Sequence, residues 1–159
     1  FEPQVQAWKQ KMPAAASFSY LPAIFNSSWE IFARAYYAGE VLGIAEKAHQ
    51  DLFDGVHVRR DVRNLEDIAK VYAKYGKTEQ QFLDATKSFG VEMKINRTKQ
   101  MVPRYGVDGT PTVVVAGKYR VTVGSAGSPE KVFDVVNFLV AKEASAKKVA
   151  AAAAAPAKS

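Results

Sequence analysis

A chain of 159 residues, 48% of them apolar, is long enough for one globular domain with a sizeable core, and no apolar run approaches the ~20 residues a membrane-spanning helix needs. Its 22 basic and 16 acidic residues leave a formal charge of +6, but the excess is scattered or gathered around Lys142, Lys147, Lys148 and Lys158 rather than interleaved with aromatics, so no nucleic-acid partner is expected. Cysteine is absent, which excludes disulfides, thiolate metal sites and thiol nucleophiles within these residues, and with only His49 and His57 no metal site is expected.

Phe1, Val5, Trp8 and Met12 recur at helical spacing and predict an amphipathic helix over residues 1–12, with Pro3 in its first turn and Pro13 as its stop. The chain thus opens inside a helix with no N-cap ahead of it, and a start at Phe1 rather than Met reads as a mature or truncated product. Residues 14–26 contain Phe18, Tyr20, Leu21, Ile24 and Phe25 and no charge, which predicts a strand buried on both faces. Asn26, Ser27 and Ser28 offer cap chemistry for a helix carrying Trp29, Phe32, Ala33, Tyr36 and Tyr37, expected to break near Gly39 and resume from Val41 to Phe53. Asn64 caps a helix with Leu65, Ile68, Ala69 and Tyr72 on one stripe, ending at Gly76, and Thr78 with Gln81 forms a capping box for a short helix through Ala85. A longer amphipathic helix is expected over residues 91–105, with Pro103 disturbing its end.

Residues 112–116 and 119–123 predict a β-hairpin turned at Gly117. Ser128 as N-cap and Pro129 at the first helical position start a closing helix whose stripe is Val132, Val135, Val136 and Leu139. From Ala144 to Ser159 alanine and lysine dominate; helix propensity is high there, but nothing large is available to bury, so an Ala/Lys-rich appendage is expected.

The most specific stretch is residues 106–119, Gly-Val-Asp-Gly-Thr-Pro-Thr-Val-Val-Val-Ala-Gly-Lys-Tyr: a glycine-bounded loop, a proline opening a β-branched run, and a Gly-Lys turn into a second strand. It resembles the cis-proline loop and following hairpin of thioredoxin-fold proteins. The long helical stretch before it, together with Phe1-Glu2-Pro3, narrows the resemblance to the DsbA-type thiol-disulfide oxidoreductases, over roughly residues 1–142. The resemblance implies an α/β, thioredoxin-like fold with an inserted helical domain. Residues 1–26 and 106–143 would form the thioredoxin-like domain, residues 27–105 a helical insertion without strands, and residues 144–159 the tail, with the first core strand missing from this chain.

The same resemblance implies a function: a monomeric periplasmic oxidoreductase, its precursor bearing a signal peptide, that donates disulfides to unfolded or partly folded secreted proteins, uses no separate cofactor, and is reoxidised by a membrane partner of the DsbB type. The Cys-x-x-Cys pair then lies just upstream of Phe1, at the start of the first helix, where unpaired N–H groups and the macrodipole stabilise a thiolate and favour the reduced enzyme. No catalytic residue falls within this chain. Of the substrate-binding residues Thr110 and Pro111 remain; the resemblance implies a cis bond between them, Thr110 backbone groups offered to an extended peptide, and a loop beside the start of the first helix. Many members carry a lysine in the segment matching residues 17–25, whereas here no charge lies between Met12 and Glu30.

Two further readings use the same scaffold: a redox-inactive thioredoxin-like module that binds peptides, and a glutathione-transferase-like isomerase with a serine near the same helix start and a thiol cofactor. The residues preceding Phe1 decide among the three, as Cys-x-x-Cys, neither Cys nor Ser, or a lone Ser. His49 reads as a surface residue and His57, between two valines, as a packed histidine. Ser27 and Ser28 read as cap residues, since no histidine is placed to activate them. Phe18, Tyr20, Phe25, Trp29, Phe32, Tyr36 and Tyr37 read chiefly as core, with the rim of a peptide groove as their other use.

Overall fold

The computed structural model describes residues 1–154, with side chains through Lys147. They form two compact units, one of Phe1–Tyr20 with the described residues from Pro103 onward, the other of Leu21–Val102. Residues 155–159 of the expected tail lie outside the described residues.

In the first unit, α1 (Glu2–Lys9) lays Val5 into a core shared with a β-hairpin and the closing helix α8 (Val132–Ala154). The hairpin pairs β1 (Thr112–Val115) with β2 (Tyr119–Thr122) antiparallel, in the register Thr112↔Thr122, Val113↔Val121, Val114↔Arg120 and Val115↔Tyr119. Alternation along the strands sends Val113, Val115, Tyr119 and Val121 to the core, where Val132, Phe133, Val136 and Leu139 of α8 meet them. Arg120, Val114, Thr112 and Thr122 share the opposite face. Burying each of the larger apolar side chains contributes about 1.5–3 kcal/mol. A short helix α7 (Val123–Ala126), which the sequence reading did not anticipate, follows β2 on a reciprocal Thr122–Ser125 cap. Residues 129–131 are turn, so α8 begins later than its Ser128-Pro129 signal suggested.

The expected strand over residues 14–26 does not form. The segment is irregular, with Phe18 and Tyr20 half-buried and Ser17, Ser19 and Leu21 exposed, so it is buried on one face and not on two. A strand requires a ladder partner, and the only sheet among the described residues is the two-stranded hairpin. For the same reason β1 has β2 on one edge and no described strand on the other.

The second unit is helical, and no strand occurs among its described residues. It contains α2 (Ser27–Val41), α3 (Ala45–Asp54) continuing into a π-helical turn (Gly55–Arg59), α4 (Leu65–Ala73), α5 (Glu79–Thr86) and most of α6 (Phe89–Arg104). Asn26 caps α2 by accepting from the Ser28 and Trp29 backbones at 3.0 and 3.2 Å, which leaves Ser27 and Ser28 inside the first turn and not at the cap itself. Asn64 caps α4 through Asp67, and the Thr78–Gln81 box closes reciprocally on α5. The interruption expected near Gly39 falls a few residues later: α2 ends at Val41 and the chain turns over residues 42–43, with Gly43 at φ +71°, while Gly39 itself stays helical. The Tyr72 ring packs against that glycine so closely that an added Cβ would stand 2.6 Å from its hydroxyl oxygen. Tyr72 in turn stacks on Phe82 at 4.7 Å, and both are fully buried. Pro103 lies in the last turn of α6, so its missing N–H and the clash of its ring with the preceding turn affect only the helix end.

Candidate functional site

The loop entering β1 is shaped by its backbone before any side chain acts. The end of α6 closes with the Gly106 N–H donating to the Pro103 carbonyl at 2.8 Å, and Gly106 adopts φ +63°, a conformation that favours glycine. The Thr112 hydroxyl then donates to the Gly109 carbonyl at 2.6 Å, tying the two residues that flank the Thr110–Pro111 pair. The Thr110–Pro111 peptide bond is cis, as expected from the motif, and both residues are exposed. From β2 the Arg120 guanidinium donates to the Gly106 carbonyl and lies 3.3 Å from the Asp108 carboxylate. The sequence reading counted Arg120 and Asp108 only as charges. That Arg120 faces away from the core was legible in the alternation Tyr-Arg-Val-Thr, but not which loop residue it would meet.

The start of α1 is the other element to which the sequence motifs point. Its N-cap is Phe1, without a side-chain cap bond, and Glu2 occupies the first turn, where a carboxylate meets the positive end of the helix. Glu2 accepts from the Gln6 amide at 2.6 Å and from the Tyr20 hydroxyl at 2.7 Å, while Gln6 also reaches the Tyr20 oxygen at 3.1 Å. The first turn of α1 is thereby stitched to the irregular segment that follows it. An aromatic series secures the same helix: Phe1 and Trp8 both stack on Phe133 of α8, at 5.6 and 5.2 Å, and Trp8 donates to Asn137 at 2.8 Å. Lys9 covers the rings of Phe18 and Tyr20 at 5.7 and 5.5 Å. The helix and the hairpin below the cis-proline loop therefore belong to one packed unit.

Behind the hairpin, Lys118 pairs with Glu143 at 2.6 Å and the Tyr119 hydroxyl donates to the same carboxylate at 3.2 Å. The Lys118 ammonium holds the Glu143 carboxyl below the usual carboxylate range, so the pair is charged at neutral pH and anchors the turn to α8.

Among the other expected residues, His49 is half-buried on α3. His57 is exposed on the π-helical turn with its ring 4.5 Å from Phe53, which corrects the reading of a packed histidine. Phe18 and Tyr20 pack in the first unit, Phe32, Tyr36 and Tyr37 in the second, and Phe25 and Trp29 form a largely exposed pair 5.2 Å apart.

A family profile for the DSBA-like thioredoxin domain matches residues 2–134. The chain is 36% identical over 150 residues to the thiol:disulfide interchange protein DsbA of Azotobacter vinelandii, spanning 92% of this chain and 69% of that protein. It is 33% identical to the protein of the same name from Pseudomonas aeruginosa, over 93% of this chain and 71% of that one. The crystal structure of Pseudomonas aeruginosa DsbA superposes with a TM-score of 0.84 at 32% identity, covering 92% of this chain and 77% of that chain. Oxidoreductase DsbA from Xylella fastidiosa superposes with a TM-score of 0.85 at 30% identity, covering 91% and 78%.

Proposed function

The chain belongs to the family of DsbA-like thioredoxin domains, and we propose that it works as part of a periplasmic protein disulfide oxidoreductase that donates disulfides to unfolded or partly folded secreted proteins, with its Cys-x-x-Cys pair upstream of Phe1. The observation that carries this reading is the exposed cis Thr110–Pro111 loop, set on the same packed unit as a helix whose first turn is open to a residue ahead of it. A thiolate just before Phe1 would meet the positive end of the α1 dipole, which lowers its pKa and makes the dithiol form the more stable one.

In the proposed reaction a thiolate of the client attacks the enzyme disulfide, forming a mixed disulfide and releasing one enzyme thiolate. A second client thiolate then attacks the client sulfur of that bond. The client leaves as a disulfide, and the enzyme retains two electrons as a dithiol. A membrane partner of the DsbB type removes those electrons. Thr110 would align the client by backbone hydrogen bonds in extended form, with Pro111 packed beside the reacting sulfurs, and residues 1–26 with 106–143 would make up the redox domain around the helical insertion over residues 27–105. The unpaired edge of β1 and the unladdered segment 17–25 both suit a further core strand between them, in a monomer. Disulfide transfer from the intact protein to a reduced dithiol peptide tests the reading. Cys-x-x-Cys ahead of Phe1 with transfer supports it. Neither cysteine nor serine there makes the protein a peptide-binding module, and a lone serine favours the isomerase.

A further inference from the structure

We propose that Arg120 is a positioning residue for the client-binding loop, holding residues 106–109 from the second strand of the hairpin so that Thr110 and Pro111 present a fixed edge. The inference rests on the assignment of that loop to client binding. Three observations converge on it. The Arg120 guanidinium donates to the Gly106 carbonyl and lies 3.3 Å from the Asp108 carboxylate, so a single planar group bridges two points of the loop. Gly106 adopts φ +63° and a Cβ there would stand 3.7 Å from the same guanidinium nitrogen, so the turn brings its carbonyl to the arginine and not away from it. At the far end the Thr112 hydroxyl holds the Gly109 carbonyl at 2.6 Å.

The loop is therefore clamped at its entry by Arg120 and at its exit by Thr112, and only the Thr110–Pro111 step between them is left to meet a ligand. Arg120 reaches it because its register partner is Val114, on the hairpin face turned away from the core, so the clamp does not draw on the packing of Val113, Val115 and Val121. Both contacts come from the same terminal guanidinium nitrogen, so a lysine ammonium, a point donor on a flexible four-carbon stem, would reproduce them only in part.

The test compares wild type with R120A, R120K and D108N in the intact protein, reading the steady-state oxidation of a dithiol peptide, the oxidation of a small-molecule dithiol, and amide hydrogen exchange. R120A is expected to raise KM for the peptide about fivefold with kcat and the small-dithiol rate unchanged, a loss the size of one ordinary solvent-exposed hydrogen bond. R120K is expected to recover part of that loss, and D108N to cost about twofold or less. Exchange of the amides at residues 106–109 should quicken in R120A while that of Val113 and Val121 stays put. A KM within twofold of wild type with unchanged exchange overturns the proposal, as does an equal fall in the small-dithiol rate, which would place Arg120 in the sulfur chemistry. Exchange is read without turnover, so an inactive wild type would count against the oxidoreductase assignment and leave the clamp to be decided by exchange alone.

Discussion

Two residues show how a local signal and its tertiary setting can disagree. Gly39 reads as a helix break in isolation, because glycine gives up more backbone freedom than any other residue. In the structure it is the residue that lets Tyr72 lie against α2, and Tyr72 cannot withdraw because it is stacked on Phe82 in a filled core. G39A would relieve about 0.5–1 kcal/mol of backbone entropy but press a methyl group to 2.6 Å from a fixed hydroxyl, an overpacking that costs about 1–3 kcal/mol. A lower urea midpoint is expected for G39A in equilibrium unfolding; an unchanged or raised midpoint would mean that Tyr72 moves freely. Thr110 and Pro111 are the opposite case. Their cis bond was legible because the whole motif is contiguous, whereas Arg120 meets Gly106 across fourteen residues through a strand register that local patterns do not specify.

At the scale of elements, two signals held within one turn formed, while a third, Ser128-Pro129, lies ahead of its helix. The Thr78–Gln81 box and the Asn64 cap each join residues three apart, and both formed as read. The apolar run over residues 14–26 was misread because a strand is defined by its neighbour, and nothing local to Phe18 or Tyr20 says whether a neighbour is there. Helices α2 and α6 are joined by a network equally invisible to periodicity. Glu30 lies 2.8 Å from Lys99 and 2.8 Å from Arg34, and Arg34 also pairs with Glu92 at 2.8 Å. Hydrogen bonds from Lys99, then Arg34, hold the Glu30 carboxyl below its ordinary 4.5. A depressed folded pKa means this contribution is whole above the unfolded value and is lost as pH falls through the lower folded one. Stability of the helical unit should thus decline from about pH 4.5 downward, with E30Q less stable at pH 7 by about 1 kcal/mol or less and flatter on the acid side. Urea titrations at pH 7 and pH 3 check this, and parallel acid limbs for the two proteins would contradict it.

At the scale of the molecule, the two cores were largely visible as apolar stripes and the hairpin as two β-branched runs about Gly117, whereas no further strand forms among the described residues. The open edge of β1 has a consequence for folding. Unpaired and buried backbone groups cost about 1–3 kcal/mol each, so a handful would consume the ~5–15 kcal/mol by which domains are usually stable. Phe1–Ser159 expressed alone is expected to aggregate, unfold or pair its edge with another chain, and a cooperative thermal transition of a monomer would refute that. Disulfide transfer puts the functional account to the most direct trial. The intact protein, oxidised and then mixed anaerobically with an excess of reduced dithiol peptide, should leave about one peptide disulfide per protein, while the cysteine-free 159-residue polypeptide leaves none. Peptide that stays reduced with the intact protein, or becomes oxidised by the cysteine-free chain, would contradict the account.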